Sequence, residues 1–182
     1  MAFLVAWVYV YLICAMMFYA RKRRGYSHLK QTISELGESG SQYEKQVSYI
    51  IFLPVGIGCL VISYATYTSN YQAAFLSGAL GLSYFLSAIF PCDPGTPLSG
   101  TWKNAIHNIV GAVCYVAMAY QLNELIDSNT SSFIDISLFL LCSFLLIFII
   151  GFPKQVIGLA QRIAETSIFC SIGLLLVDIS AA

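Results

Sequence analysis

His107 and Asp93 are the two side chains in this sequence best placed to move a proton. Asp93 lies in Phe90-Pro91-Cys92-Asp93-Pro94-Gly95-Thr96-Pro97-Leu98-Ser99-Gly100-Thr101, a stretch rich in turn-forming residues between two apolar segments. His107 follows where the second of these segments begins, with Asn104 one turn before it. A histidine oriented by a carboxylate is the usual equipment of general acid–base catalysis. His28 and Glu35 occupy an earlier polar stretch, while Gln161, Arg162 and Glu165 interrupt the last apolar segment. Arg162 and Glu165 are spaced i,i+3 and Gln161 and Glu165 i,i+4, so all three share one helical face. Charge within a membrane span costs at least about 2.5 kcal/mol, so such groups turn inward and find partners. The candidate ligand-binding set is therefore His28, Glu35, Asp93, Asn104, His107, Gln161, Arg162 and Glu165, and the catalytic candidates are His107 and Asp93.

Each of these residues also has a plainer reading. Arg162 can pair with Glu165 or bind loop carbonyls and fasten the bundle. His107 can serve as an interhelical hydrogen-bond partner, and His28 can sit among lipid headgroups. His28, His107, Asp93 and Glu165 are ligand types for a metal, but they lack a spacing such as H-E-x-x-H. No metal and no cofactor are expected. A nucleophile reading would join Cys92 or Ser99 to His107, without the support of a G-x-S-x-G elbow. Matched halves with broken helices, the pattern of many transporters, are missing. So is a mid-span lysine for a Schiff base.

The elements that must position these groups follow from composition. Hydrophobic residues make up 58% of the 182-residue chain and charged residues 10%, against about 25% charged in soluble domains. Mean hydropathy is +0.76. The fold class is all-α, an integral membrane bundle of six transmembrane helices in one domain, with both termini on the outer side. Spans are expected at about 2–20, 47–66, 73–90, 101–121, 133–152 and 155–179, each close to the roughly 20 residues that cross a bilayer. Formal net charge is zero, so nothing points to nucleic acid.

Five cysteines (Cys14, Cys59, Cys114, Cys142 and Cys170) fall inside apolar runs, where a thiol packs as a small hydrophobe. Cys92 alone is expected to be accessible, in a turn-packing role or as a reactive thiol. The first apolar run has basic residues behind it rather than ahead, which suits a membrane anchor better than a signal peptide.

Loop 21–45 contains Leu29, Ile33 and Leu36 at helical spacing, with Gly37 as a stop, and reads as a short interfacial helix. Thr32 and Glu35 match a capping box. Pro54 should kink the second span. Ser77, Gly78 and Gly81 give the third span a face for close helix approach. Pro91 ends that span, Asp93-Pro94-Gly95 makes a turn, and Ser99 or Thr101 caps the fourth. Leu122–Ser132 reads as a loop and Gly151-Phe152-Pro153-Lys154 as a tight turn.

With the N-terminus outside, Arg21, Lys22, Arg23, Arg24, Lys30, Lys45, Lys103 and Lys154 all lie on the cytoplasmic side, and Arg162 lies in the inner half of span six. Glu124, Asp127, Asp135 and Asp178 collect toward the outer face. This places every Lys and Arg by the positive-inside rule, in a multi-pass cytoplasmic (inner) membrane protein.

The motifs Tyr26-Ser27-His28 with Thr32-Ile33-Ser34-Glu35-Leu36-Gly37, Phe90-Pro91-Cys92-Asp93-Pro94-Gly95, His107, and Gln161-Arg162 resemble a bacterial membrane family, domain-of-unknown-function family 998. A more distant similarity runs to six-span proteins of the Frag, DRAM and Sfk type. The resemblance spans essentially the whole chain and implies a six-helix inner-membrane bundle. It transfers no activity, substrate or catalytic residue; the distant relatives suggest roles linked to lipids, by analogy alone.

The sequence thus points to a cytoplasm-facing polar pocket binding a lipid headgroup or small amphiphile. Arg162 and the Arg21–Arg24 run would meet an anionic group. Membrane lipids are the expected partners, and no oligomeric state is assigned. Two other classes stand beside this one. One is an intramembrane enzyme acting on a lipid-like substrate through His107 and Asp93. The other is a structural or partner-binding subunit.

Overall fold

The computed structural model describes residues 1–126, 132–150 and 154–178. Six helices long and apolar enough to cross a membrane account for most of them: α1 (Ala2–Lys22), α2 (Glu44–Thr66), α3 (Tyr71–Ile89), α4 (Trp102–Ile126), α5 (Ser132–Ile150) and α6 (Ile157–Asp178). No strand occurs among the described residues. Helices are what such a sequence must form in lipid, because every backbone polar group then has a partner within its own segment. The expected positions Asp127, Gly151, Phe152, Pro153 and Ile179, and the side chains of Lys154 and Asp178, lie outside what is described.

The spans form a ring in which each packs against its sequence neighbours, α6 returns to α1, and α3 meets α6 across the middle. Large apolar side chains such as Phe3, Trp7, Tyr64 and Phe139 point outward. That is the arrangement of a bundle whose solvent is lipid. Helix α6 is the most interior span, 56% of its apolar window being buried against 22% for α1 and α5.

The α2–α3 pair is the tightest in the bundle. A Cβ at Gly56 would lie 2.6 Å from the Phe85 backbone nitrogen, and one at Gly81 would lie 2.9 Å from that of Leu60. Only glycine lets the two backbones come this close. Asn70 caps α3 by accepting from the Ala73 N–H at 2.9 Å, and its amide donates to the Leu175 carbonyl of α6 at 2.7 Å.

Three sequence expectations are corrected here. Helix α2 begins at Glu44 rather than 47, and before Pro54 it runs as a π-helix from Val47 to Phe52. Proline has no N–H for the Ile50 carbonyl four residues back. The Tyr11 hydroxyl of α1 donates to that carbonyl instead. Second, Leu122–Ile126, expected in a loop, continue α4, because Leu122 and Leu125 still have buried faces to fill.

Third, the interfacial helix expected in loop 21–45 is not formed. The segment is a folded strap of turns with one short 3-10 helix at Ser34–Gly37. The backbone groups a helix would need are bound elsewhere. The His28 and Gln31 carbonyls accept from Arg162 at 2.8 and 2.9 Å, and the Leu29 carbonyl accepts from the Leu159 N–H at 3.1 Å. The Ile33 N–H donates to Gln161 Oε1 at 2.7 Å. Ile33 and Leu36 are buried while Leu29 stays exposed, so the three do not share one face. The Thr32–Glu35 capping pair does form: the Thr32 N–H and hydroxyl donate to Glu35 Oε2 at 2.6 and 2.9 Å, and the Glu35 N–H donates to Thr32 Oγ1 at 3.3 Å.

Candidate functional site

Between α3, α4, α5 and α6 lies a cavity of about 340 Å³, at the small end of the roughly 300–1,000 Å³ usual for ligand sites. It occupies the half of the bundle next to the strap and the 90–101 loop, and both contribute to its wall through Thr32, Ile33, Thr96 and Leu98. One side is apolar and open between α4 and α5, with Ile109, Val116 and Ile149 on the wall and also exposed on the bundle's outer surface. The opposite side carries hydroxyl, amide, imidazole and carboxyl groups.

Glu165 is the centre of that polar side. It is 3% exposed, and its two oxygens accept from the Tyr84 hydroxyl of α3, the Tyr115 hydroxyl of α4 and the Gln161 amide of α6, the last at 2.9 Å. Gln161 also donates to the Tyr115 oxygen at 3.1 Å. Since Gln161 Oε1 accepts from the strap, one network ties α3, α4, α6 and residue 33 together. A buried carboxyl persists only with such a set of donors.

His107, 7% exposed, lies toward the 90–101 loop on the same wall. Its Nδ1 is 2.9 Å from the Phe90 carbonyl, which can only accept, so Nδ1 carries the proton. In the neutral ring Nε2 is then an acceptor. The Phe90 carbonyl is free to receive this bond because Pro91 ends α3 there.

Asp93 stands apart from His107. The Thr101 N–H donates to one carboxylate oxygen at 2.6 Å and the Thr101 hydroxyl to the other at 2.8 Å. Thr101, the second of the two expected caps, in turn accepts from the Asn104 N–H at 3.3 Å. The turn at 93–96 closes through a Thr96 N–H to Asp93 carbonyl bond of 2.9 Å, with Gly95 at φ +74. Asn104 is fully buried and fastens this loop, accepting from the Asp93 N–H at 2.9 Å and donating to the Pro97 carbonyl at 2.8 Å. The oriented His107–Asp93 pair that acid–base catalysis would use is not assembled.

Arg162 faces the strap, not the cavity. Its Nη1 donates to the carbonyls of His28, Gln31 and Gly158, and its Nη2 to the Tyr26 hydroxyl at 2.5 Å. Of the readings left open above, the structure takes the fastening one. Gly158 lies directly under the strap, and a Cβ there would strike the Gln31 and His28 carbonyls. Burial pushes the Tyr26 phenol up to about 12, with Arg162 acting against it, so Tyr26 stays protonated. Partial burial, then the Arg162 charge, lowers the pKa of His28.

Arg23 is likewise engaged, with the Glu35 carbonyl and in an ion pair with Glu38, while Glu38 accepts from the Gly95 N–H at 3.1 Å. Cys92, expected to be accessible, is 1% exposed beneath these loops, and burial holds its thiol up at about 12. A buried neutral thiol is inert.

Of the eight sequence candidates, His107, Gln161 and Glu165 line the cavity, while His28, Glu35, Asp93, Asn104 and Arg162 hold loops to helices. Tyr84, Tyr115, Ser83 and Ser87 also line the cavity and are not among those candidates. Their signal was present in the spacing. Tyr115 sits two turns beyond His107, and Ser83, Tyr84 and Ser87 share one face of α3. A phenol deep in an apolar span needs a polar partner. Among the described residues, no group of three or more His, Cys, Asp or Glu is gathered to hold a metal ion.

Fold and site together define a multi-pass membrane protein, a six-span bundle built around a polar-ended internal cavity. The chain belongs to the family described as protein of unknown function DUF998, whose model matches residues 3–178. Comparison with curated proteins and with solved structures gives no match.

Proposed function

We propose that this protein binds a lipid or small amphiphile in the α3–α6 cavity. We place it in a bacterial cytoplasmic membrane, with the polar part of the cavity on the cytoplasmic side. The observation that carries the proposal is the two-sided wall: apolar residues open to the bilayer between α4 and α5, and a polar side opposite, centred on the Glu165 network. A tail lying between two helices while a head meets inward hydrogen-bonding groups matches that division. The cytoplasmic side is supported by Arg21, Lys22, Arg23, Arg24, Lys30, Lys45 and Lys103, which cluster at or beside the loops next to the cavity.

Gly111 supplies the test. It lines the cavity, and a Cβ there meets nothing within 4 Å. Gly111→Leu should therefore fill the space without disturbing the fold, and leucine also suits a helix better than glycine. Native mass spectrometry of protein extracted gently from its own membrane should show a discrete bound mass that Gly111→Leu removes, with unchanged thermal stability. A wild-type protein that is repeatedly ligand-free would overturn the proposal.

A further inference from the structure

We infer that the head held in the cavity is uncharged and carries a hydroxyl, as in a single-chain glycerol ester or long-chain alcohol. This rests on the binding reading and deepens it. Among the described residues, neither lysine nor arginine lines the cavity. Arg162, the cation nearest in sequence, spends its Nη1 and Nη2 on three carbonyls and a phenol outside it. Among the described lining residues an anionic head would meet no cation, and it would approach the Glu165 carboxyl.

A cationic head is disfavoured for a different reason. The Glu165 oxygens already accept three protein donors, two on Oε1 and one on Oε2, which leaves a single lone pair for an ammonium that brings three N–H groups. What remains on the polar wall is uncharged: Ser83, Ser87, Thr96, Asn108 and the neutral form of His107. Asn108 adds a specific vacancy in hydrogen bonding. Its Nδ2 donates to the Pro97 carbonyl at 2.9 Å, which fixes the amide's orientation, while its Oδ1 is buried and without a donor. A buried acceptor without a partner is costly. A ligand hydroxyl is the donor it lacks, and His107 Nε2 offers a second acceptor on the same wall.

The tail leaves toward the bilayer. At about 340 Å³ the cavity itself holds a head and the first few methylenes, counting roughly 30 Å³ for each water-sized unit. The rest of a longer chain lies against Ile109, Val116 and Ile149 among membrane lipids.

Matched dodecyl probes test this in nanodiscs by native mass spectrometry: monolauroylglycerol, lauric acid and dodecylamine, each titrated against wild type, Gly111→Leu and Asn108→Leu. The glycerol ester should bind wild type at least about tenfold more tightly than either charged probe, equivalent to roughly 1.4 kcal/mol. Gly111→Leu should abolish its binding, and Asn108→Leu should weaken the ester while leaving the charged probes unchanged. Tighter binding of the acid or the amine, itself lost in Gly111→Leu, would overturn the uncharged-head inference while the binding reading stood. If none of the probes bound and the natively extracted protein carried no ligand, both would fail.

Discussion

Arg162 shows why a charged residue in a membrane span need not mark a ligand site. Its guanidinium is consumed by the strap, which it holds against the N-terminal half of α6 with Tyr26 and Gly158. The buried carboxyl one turn further along behaves differently. Glu165 takes its hydrogen bonds from two tyrosines and a glutamine and presents the result to a cavity. His28 lies beside Arg162 and Tyr26 and supplies a test at this scale. Its folded-state pKa falls below the ordinary 6.5 through burial, then through the Arg162 charge. The unfolded chain therefore binds this proton more readily, so the His28 contribution to stability is complete above about pH 6.5 and is lost as pH falls. Thermal unfolding from about pH 7 to pH 5 should show a steeper loss for wild type than for His28→Gln. Equal slopes would show that His28 is not a source of that dependence.

Among the elements, the α2–α3 pair and the strap are the two devices that hold the cavity's surroundings in place. Gly56 and Gly81 let α2 and α3 touch through their backbones, and the Tyr11 hydroxyl repairs the hydrogen bond that Pro54 removes. Gly81→Leu should separate the pair, since Leu60 N, Cys59 Cβ and the Gly56 carbonyl, all within 3.0 Å of the new Cβ, cannot move independently. A loss of about 1–3 kcal/mol is expected, the usual cost of overpacking. It should read as a lower unfolding temperature in detergent, against an unchanged one for Gly111→Leu. A Gly81→Leu protein melting with wild type would remove the close approach as a source of stability.

At the level of the whole molecule, the strap and the 90–101 loop lie together at one end, joined by the Ser39 N–H to Cys92 carbonyl bond at 2.8 Å and by the Glu38–Gly95 contact. The cavity opens beneath them. If that end faces the cytoplasm, Lys30→Cys should react with a membrane-impermeant maleimide only after cells are permeabilised. Thr68→Cys, exposed in the connection between α2 and α3 at the other end, should react in intact cells. The reverse pattern would invert the orientation proposed here.

Six apolar runs of span length are enough to make this chain a six-helix membrane protein, because helices are how such segments satisfy their backbone in lipid. Several local devices are equally legible in the residues themselves: the Asp93-Pro94-Gly95 turn, the Thr32–Glu35 capping pair, and the glycine face of α3. Each depends on residues a few positions apart. Which polar groups face the cavity follows from packing between distant segments. Arg162 and Glu165 are three residues apart on one helix, yet one is spent on a strap more than 130 residues earlier in the chain and the other on tyrosines from two further helices. The strap itself looked helical until its carbonyls found those distant donors. Partner choice for a buried polar group depends on which long-range donor or acceptor packing brings within hydrogen-bond reach, and local spacing carries no record of that.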